Sequence, residues 1–170
     1  MKIKLSILAL LLFFTVSTVM AADTVIIVVR HAEKSNDDPK DPVLSEQGSA
    51  RANKLAFVMK DSNLQAVYTT QYKRTQLTGQ AAAVQSGLEL QVRAATKENA
   101  KTYAADLLKE IQKKYRGKTV LIVGHSNTVP EIVKLMTGID IVPIGENEFD
   151  RLYVITVGKK PRLVSTSYNP

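Results

Sequence analysis

The chain has 170 residues, of which 45% are hydrophobic, and this is enough for one domain with a hydrophobic core. It contains no cysteine, which excludes disulfides, thiol catalysis and lipid attachment to cysteine. The net charge is +7, but the basic residues are scattered without a long basic run or interleaved aromatic residues, so we expect no nucleic-acid partner.

The first 22 residues have the layout of a secretory signal peptide. A basic start, MKIK, precedes a mostly apolar run, and small residues follow at Ala21 and Ala22. We therefore predict a cleaved signal at 1–22, a single domain at 23–170, a periplasmic or secreted location, and no membrane contact after cleavage. The alternative is an uncleaved N-terminal helix that anchors the chain, because residues 5–22 almost reach the length of a membrane span.

Strand-like and helix-like segments alternate along the rest of the chain. Two nearly continuous β-branched runs, TVIIVVR and KTVLIVG, are typical of strands that are covered on both faces. The remaining strand candidates are LQAVYTT, LELQVR, DRLYVITV and PRLVSTSY. Apolar residues at helical spacing predict four helices, around 52–59, 77–84, 104–115 and 129–136. This order predicts an α/β fold, a three-layer sandwich with a mainly parallel central sheet.

Three of these helices have further sequence signals. In the second helix, the spacing of Leu77, Ala81 and Val84 predicts the buried stripe. Thr128 and Glu131 have the spacing of a capping box at the start of the fourth helix, and Asn127 before them is interpreted as its cap, with contact to the substrate as the alternative. The segment SEQG, beginning at Ser45, is typical of the start of the first helix.

Polar residues follow three of the predicted strands at their carboxyl ends, where open α/β sheets bind ligands. Arg30 and His31 end the first strand, His125 ends the strand KTVLIVG, and Arg74 follows LQAVYTT. His31 and His125 are the two histidines of the whole chain. Forked guanidinium donors match phosphate oxygens, and a neutral imidazole can attack phosphorus. The four side chains therefore indicate a pocket for phosphoryl transfer.

At these residues the sequence resembles the histidine phosphatase superfamily, which includes the phosphoglycerate mutases, and in particular its small exported bacterial members. The resemblance rests on RHAEK, LSEQGSARA, YTTQYKRTQLT and VGHSNT, and it covers roughly residues 24–138. It implies a histidine phosphatase-like fold and a metal-independent phosphomonoester hydrolase of the histidine acid phosphatase type, without a cofactor. It further implies that His31 is the nucleophile that becomes phosphohistidine, and that Arg30, Arg74 and His125 bind the phosphate. The substrate would be a phosphorylated small molecule or a phosphoprotein.

The general acid is the least defined part of this site. An alkoxide leaving group needs a proton, and the mutase-like branch supplies it from a glutamate after the third strand. Glu98 lies at about that place and is the candidate here, although the usual surrounding sequence is absent. The rival carboxylates are Glu33, Glu146, Glu148 and Asp150.

Three other functions remain open at this point. Some short members of the family lack an obvious acid, which suits a phosphoamide such as phosphohistidine. A non-catalytic protein that binds a phosphorylated ligand on the same scaffold is a second alternative. A metal hydrolase built on His31, His125 and carboxylates is the poorest, because such sites usually have three or more ligands at closer spacing.

Overall fold

The computed structural model describes residues 23–169, so the predicted signal peptide at 1–22 lies outside the described residues. Four helices alternate with the first four strands, and two further strands close the chain. The strands are β1 (Thr24–Arg30), β2 (Leu64–Thr69), β3 (Leu90–Val92), β4 (Thr119–Gly124), β5 (Arg151–Val157) and β6 (Arg162–Ser167). The helices are α1 (Glu46–Met59), α2 (Lys73–Gln85), α3 (Tyr103–Lys114) and α4 (Thr128–Thr137). No helix of this part of the chain is long and apolar enough to span a bilayer.

The strands form one six-stranded sheet in the order β3-β2-β4-β1-β5-β6. The first four strands of that order are mutually parallel, whereas β5 runs antiparallel to β1, and β6 antiparallel to β5. The prediction of a mainly parallel α/β sheet is therefore confirmed. Because β1 and β4 pair residue by residue up to Arg30 and Gly124, His31 and His125 leave the sheet side by side.

Both faces of the sheet are covered by helices, which confirms the three-layer arrangement. On β1, Ile26 and Val28 pack in one core with α3 and α4, while Ile27 and Val29 pack in the other with α1 and α2. All four of these side chains are essentially removed from water. This two-sided burial is the reason that the strand reads as a continuous hydrophobic run.

The buried face of α2 differs from the predicted one. Leu77 and Val84 are 41% and 66% exposed, so the predicted apolar stripe is wrong. The helix instead buries Thr75, Thr78 and Gly79, with two alanines. Hydrogen bonds decide this orientation, because the Thr78 hydroxyl accepts from the Ala32 N–H at 2.9 Å and Thr75 bonds to the end of β2.

The start of α1 is confirmed and is tied to the loop after His31. Ser45 caps the helix by accepting from the Gly48 N–H at 3.1 Å. A Cβ at Gly48 would lie 2.1 Å from the Glu33 carbonyl oxygen, so this close approach requires glycine. Arg51, one turn further on, forms hydrogen bonds to the Glu33 carboxylate. The LSEQGSARA segment therefore supports the loop that follows His31.

The start of α4 is built differently from the predicted capping box. The Asn127 side chain makes no capping hydrogen bond, and Thr128 lies inside the helix. The Thr128 hydroxyl instead accepts from the backbone N–H of His125 at 2.8 Å. A Cβ at Gly124 would lie 2.7 Å from this same hydroxyl oxygen, which explains the glycine before His125. The VGHSNT segment thus fixes the backbone of His125.

Candidate active site

The carboxyl ends of β1, β2 and β4 open into one cavity of about 1100 Å³. The four predicted phosphate-pocket residues, Arg30, His31, Arg74 and His125, all line it. The ring centroids of His31 and His125 are 5.3 Å apart, and the two rings meet edge to face. The structure therefore brings the four side chains together as expected from the strand ends.

His31 is held in one tautomer by its own loop. Its Nδ1 lies 2.8 Å from the backbone carbonyl oxygen of Ala32, which can only accept, so Nδ1 carries the proton and Nε2 keeps its lone pair. Burial lowers the pKa of His31 to about 3, with smaller effects from His125, Arg30 and Arg74 in the same direction. The imidazole is therefore neutral near pH 7, which is the form a nucleophile needs.

His125 is fixed through a chain of hydroxyl groups. The Thr75 hydroxyl donates to the Tyr72 carbonyl at 2.8 Å, so its oxygen accepts from the Thr70 hydroxyl at 2.9 Å. The Thr70 oxygen is then the acceptor for His125 Nε2–H, also at 2.9 Å. Burial, followed by Arg74 and Arg30, lowers the pKa of His125 to about 4. We infer a neutral imidazole here as well, with its Nε2 proton held by Thr70.

The two arginines are held in different ways. Arg30 is buried, and its NH1 donates to the carbonyls of Gly145, Glu146 and Glu148 at 2.6, 2.9 and 3.0 Å. Its Nε has no hydrogen-bond partner within residues 23–169. Arg74 has a carboxylate near it, Asp41, at the outer limit of an ion pair, 4.0 Å. Arg74 is therefore the less constrained of the two cations.

Two aromatic residues that the sequence analysis did not single out complete the walls of the cavity. The Arg30 guanidinium lies 4.2 Å from the centre of the Phe149 ring, which also contacts His31. Tyr72 packs in the same way against Arg74, at 4.3 Å, and against the His125 ring. Tyr72 lies inside the TTQYKRTQ segment, so the motif itself was a signal for it.

The candidate general acid occupies an unfavourable position for that role. Glu98 lines the rim of the cavity but is fully exposed, and a hydrogen bond from Thr96 lowers its pKa. Both features favour the ionised carboxylate, whereas an acid needs to hold a proton. Its role as the acid stays a prediction from the resemblance alone.

Two of the rival carboxylates are already engaged. Burial favours the neutral form of Glu33, but hydrogen bonds from Arg51 outweigh burial and the net pKa of Glu33 is lowered. Glu148 accepts from the Gly145 N–H at 2.7 Å and pairs with Arg151 at 2.8 Å, and both interactions lower its pKa. Glu146 also lines the cavity, but its carbonyl rather than its carboxylate contacts Arg30.

The metal-hydrolase alternative has little support from this geometry. Within residues 23–169, no group of three or more His, Asp or Glu side chains is arranged to hold a metal ion. The two histidines instead use ring nitrogens for the Ala32 carbonyl and the Thr70 hydroxyl.

Known proteins resemble this chain in sequence and in fold. Residues 26–103 match the family profile of the histidine phosphatase superfamily (branch 1), a range that contains three of the four motifs quoted above. Over these residues the sequence is similar to the histidine phosphatase superfamily. The fourth motif, with His125, lies beyond the matched range, but β4 places it directly beside His31. No curated protein matches the chain.

Solved structures of phosphatases share the fold of this chain. The protein histidine phosphatase SixA, complexed with tungstate, is 14% identical with a TM-score of 0.67, and the alignment covers 84% of this chain and 96% of that one. For a mycobacterial glucosyl-3-phosphoglycerate phosphatase the identity is 14%, the TM-score 0.64, and the coverage 85% and 98%. For a phosphoserine phosphatase from Entamoeba histolytica the values are 19%, 0.62, 86% and 97%. At these identities the likeness establishes the fold.

Proposed function

We propose that the protein is a metal-independent phosphatase that forms a phosphohistidine intermediate on Nε2 of His31. The observation that carries this proposal is the fixed tautomer of His31, because its Nδ1–H donates to the Ala32 carbonyl and leaves the Nε2 lone pair in the cavity. Burial keeps that nitrogen unprotonated by lowering the pKa of His31 to about 3.

In the first step the Nε2 lone pair forms a bond to phosphorus, and the bond from phosphorus to the leaving group breaks. The electron pair of that bond departs with the leaving group, which takes up a proton from solvent water. Arg74 and Arg30, which both line the cavity, bind the phosphoryl oxygens, whose negative charge they stabilise in the transition state. In the second step, water attacks phosphorus, releases inorganic phosphate and returns the electron pair to Nε2.

His125 contributes to phosphate binding through a change in protonation. Its Nε2 proton is used by Thr70, so the neutral ring has no second proton to donate. A phosphoryl dianion beside it raises its pKa from about 4, and the ring then takes up a proton and becomes a donor. Phosphate binding is therefore coupled to proton uptake.

The test is a release assay with an aryl phosphate in the presence of a chelator, combined with chemical trapping. We expect phosphate release, together with a phosphoprotein that is labile in acid and stable in alkali. His31→Ala removes both signals while its circular dichroism spectrum stays that of the wild type. Phosphate binding without turnover in the wild-type protein would instead indicate a non-catalytic binding protein.

We further propose that phosphoamides, such as phosphohistidine, are better substrates than alkyl phosphates. The observation that favours them is the state of the carboxylates, since Glu33 and Glu148 are paired with arginines and Glu98 is exposed and ionised. A leaving nitrogen needs less help from an enzyme acid than an alkoxide does. SixA is a protein histidine phosphatase by name and shares the fold.

The substrate test compares hydrolysis of phosphoramidate with that of a simple alkyl phosphate. We expect kcat/KM to be higher for phosphoramidate by at least about tenfold. Loss of a general acid lowers the rate on an alkyl ester by about a hundredfold or more, so a tenfold preference is a cautious lower bound. Equal values for both compounds would show that a proton donor acts on the alkoxide, and Glu98 would then be the first candidate.

The exported location is also a proposal. It rests on the sequence of residues 1–22 and on the folded unit formed by 23–169. Cell fractionation followed by N-terminal sequencing tests it. A mature chain that begins near Asp23 in the periplasm or the medium supports cleavage, whereas a full-length chain in the membrane fraction supports the anchored alternative.

A further inference from the structure

The sheet edge opposite the catalytic cavity carries a cluster of exposed cations. Strands β4, β1, β5 and β6 are consecutive neighbours in the sheet. The ends of these strands that lie away from His31 are joined to two connections, called loops below: 113–118, which includes the last two residues of α3, and 158–162, which includes the first residue of β6. We call their seven exposed basic residues the basic edge: Lys113, Lys114, Arg116, Lys118, Lys159, Lys160 and Arg162.

Hydrogen bonds and strand pairing bring the two loops together. The Lys118 carbonyl accepts from the Val25 N–H at 3.0 Å, and the Gly117 N–H donates to the Thr24 hydroxyl at 2.9 Å. On the other side of β1, Thr24 pairs with Val157, directly before the second loop. Adjacent strands lie about 4.8 Å apart, so the four strand ends span about 14 Å. The sequence shows these cations in two separate segments, and the fold places them in one strip.

Few acidic groups neutralise the basic edge. Asp23 lies beside Gly158, and Glu110 pairs with Lys114 at 2.8 Å. Within residues 23–169, no other member of the basic edge forms an ion pair. The next acidic residues on this side of the sheet are Asp61 and Glu89, which precede β2 and β3. Lys113 and Lys114 lie in the last turn of α3, where their positive charges also interact favourably with the helix dipole. The cations outside the helix have no such interaction.

We propose that the basic edge docks on the surface of an anionic lipid bilayer. Clusters of four to eight basic residues next to an apolar segment recognise anionic headgroups, and about 1 kcal/mol per basic residue comes from the surface potential. The described chain begins at this edge with Asp23, directly after the apolar sequence of residues 5–22. Any membrane association of that segment, during export or as an anchor, delivers a bilayer to the basic edge.

Docking in this way points the catalytic cavity away from the bilayer. The strands between the two edges have six or seven residues, a length of about 20 Å. His31 then faces the aqueous phase, so soluble phosphorylated compounds reach it and headgroups of the same bilayer do not. This inference does not depend on turnover, and its test needs no substrate.

The first experiment measures protection of lysines in the full-length chain. The protein is mixed with vesicles of phosphatidylcholine, with or without phosphatidylglycerol, and its lysines are acetylated with a water-soluble reagent and quantified by mass spectrometry. We expect Lys118, Lys159 and Lys160 to be protected several-fold by the anionic vesicles only. Lys54 and Lys101, which lie on α1 and before α3, serve as internal controls and keep their reactivity.

The second experiment uses two variants with the same net charge, K159Q/K160Q and K54Q/K101Q. The measured quantity is the partition coefficient on anionic vesicles divided by that on neutral vesicles, so the common contribution of residues 1–22 cancels. At about 1 kcal/mol for each basic residue, we expect this ratio to fall about 25-fold for K159Q/K160Q. The control variant should stay within about twofold of the wild type, because its lysines lie outside the basic edge.

Three results would overturn the proposal. Uniform protection of all lysines, or none, shows that the basic edge is not the contact surface. Equal losses in the two variants show that net charge alone acts. A short DNA duplex that protects the same lysines and displaces anionic vesicles assigns the basic edge to nucleic acid instead.

Discussion

The floor and the rim of the catalytic cavity are built in different ways. On the floor, Arg30, His31, Thr70 and His125 come from strand ends, and hydrogen bonds to the backbone or to hydroxyl groups fix each side chain. The rim comes from three loops, 35–43, 94–102 and 139–150, which are largely exposed. Sheet register thus positions the side chains of the floor. The rim loops, which tolerate sequence change, determine which substrate enters the cavity.

The largest expected effect comes from removing Arg74, which lies at the start of α2 and lines the cavity beside the floor. Arg74→Ala deletes the less constrained of the two cations that we propose bind the phosphate, and we expect kcat/KM to fall by about 10² to 10³, as for other preorganised donors of a transition state. The measurement is steady-state hydrolysis of an aryl phosphate. The exposed neighbour Lys73 supplies the control, and Lys73→Ala should change kcat/KM by less than about threefold. Similar losses in both variants would mean that general positive charge, not the fork of Arg74, binds the phosphate.

Loss of the ion pair beneath the floor should act on stability. Arg51 and Glu33 pair at 2.8 Å, and their side chains are 7% and 13% exposed. Glu33→Ala leaves the Arg51 charge buried without its carboxylate, and we expect the free energy of unfolding to fall by about 3 kcal/mol. Urea unfolding measures this, with exposed Glu46→Ala as the matched control.

The same ion pair predicts that the free energy of unfolding depends on pH. The folded-state pKa of Glu33 is below its ordinary value of 4.5, so its contribution is complete above that pH and disappears as the pH falls through the folded-state pKa. The difference in unfolding free energy between wild type and Glu33→Ala should therefore be constant near neutral pH and shrink in acid. A difference that grows in acid would contradict the ion pair as its source.

A smaller effect is expected where the floor is changed without loss of charge. Thr70→Val keeps the shape of the side chain but removes the acceptor of the His125 Nε2 proton. We expect kcat/KM to fall about tenfold. Part of that loss arises because the Thr75 oxygen no longer accepts a hydrogen bond from residue 70, which costs about 1 kcal/mol. Thr70→Ser retains the hydroxyl and should recover most of the activity. Failure of serine to do so would mean that packing, not the hydrogen bond, positions His125.

The sequence predicted the floor because strand ends follow simple rules. Continuous β-branched runs located β1 and β4, and parallel pairing then brought His31 beside His125. The same rules failed for α2, where Leu77 and Val84 are exposed. Hydroxyl groups that bond to neighbouring loops fixed the face of that helix, and hydrophobic periodicity does not register such contacts.

Contacts between distant segments account for most of what the sequence could not predict. Phe149 reaches the Arg30 guanidinium from a loop more than a hundred positions away, and no local pattern marks it. Glu33 is an acidic residue two positions after His31, and only the fold shows that Arg51 neutralises it. The basic edge is likewise a product of strand order, since its two loops are separated along the chain by β4, α4 and β5.

The rim should show the smallest effect, and Glu98 is the residue that tests it. Because Glu98 is exposed and its pKa is lowered, we expect Glu98→Gln to change kcat/KM by less than about twofold for both an alkyl phosphate and phosphoramidate. A general acid would behave differently, since its loss costs about 10² to 10⁴ on the alkyl ester and little on the phosphoamide, whose nitrogen leaves more easily. That selective loss would show that Glu98, which already lines the cavity, donates a proton to the leaving group. The separation of a catalytic floor from a non-catalytic rim would then apply to the free protein but not to its complex with substrate.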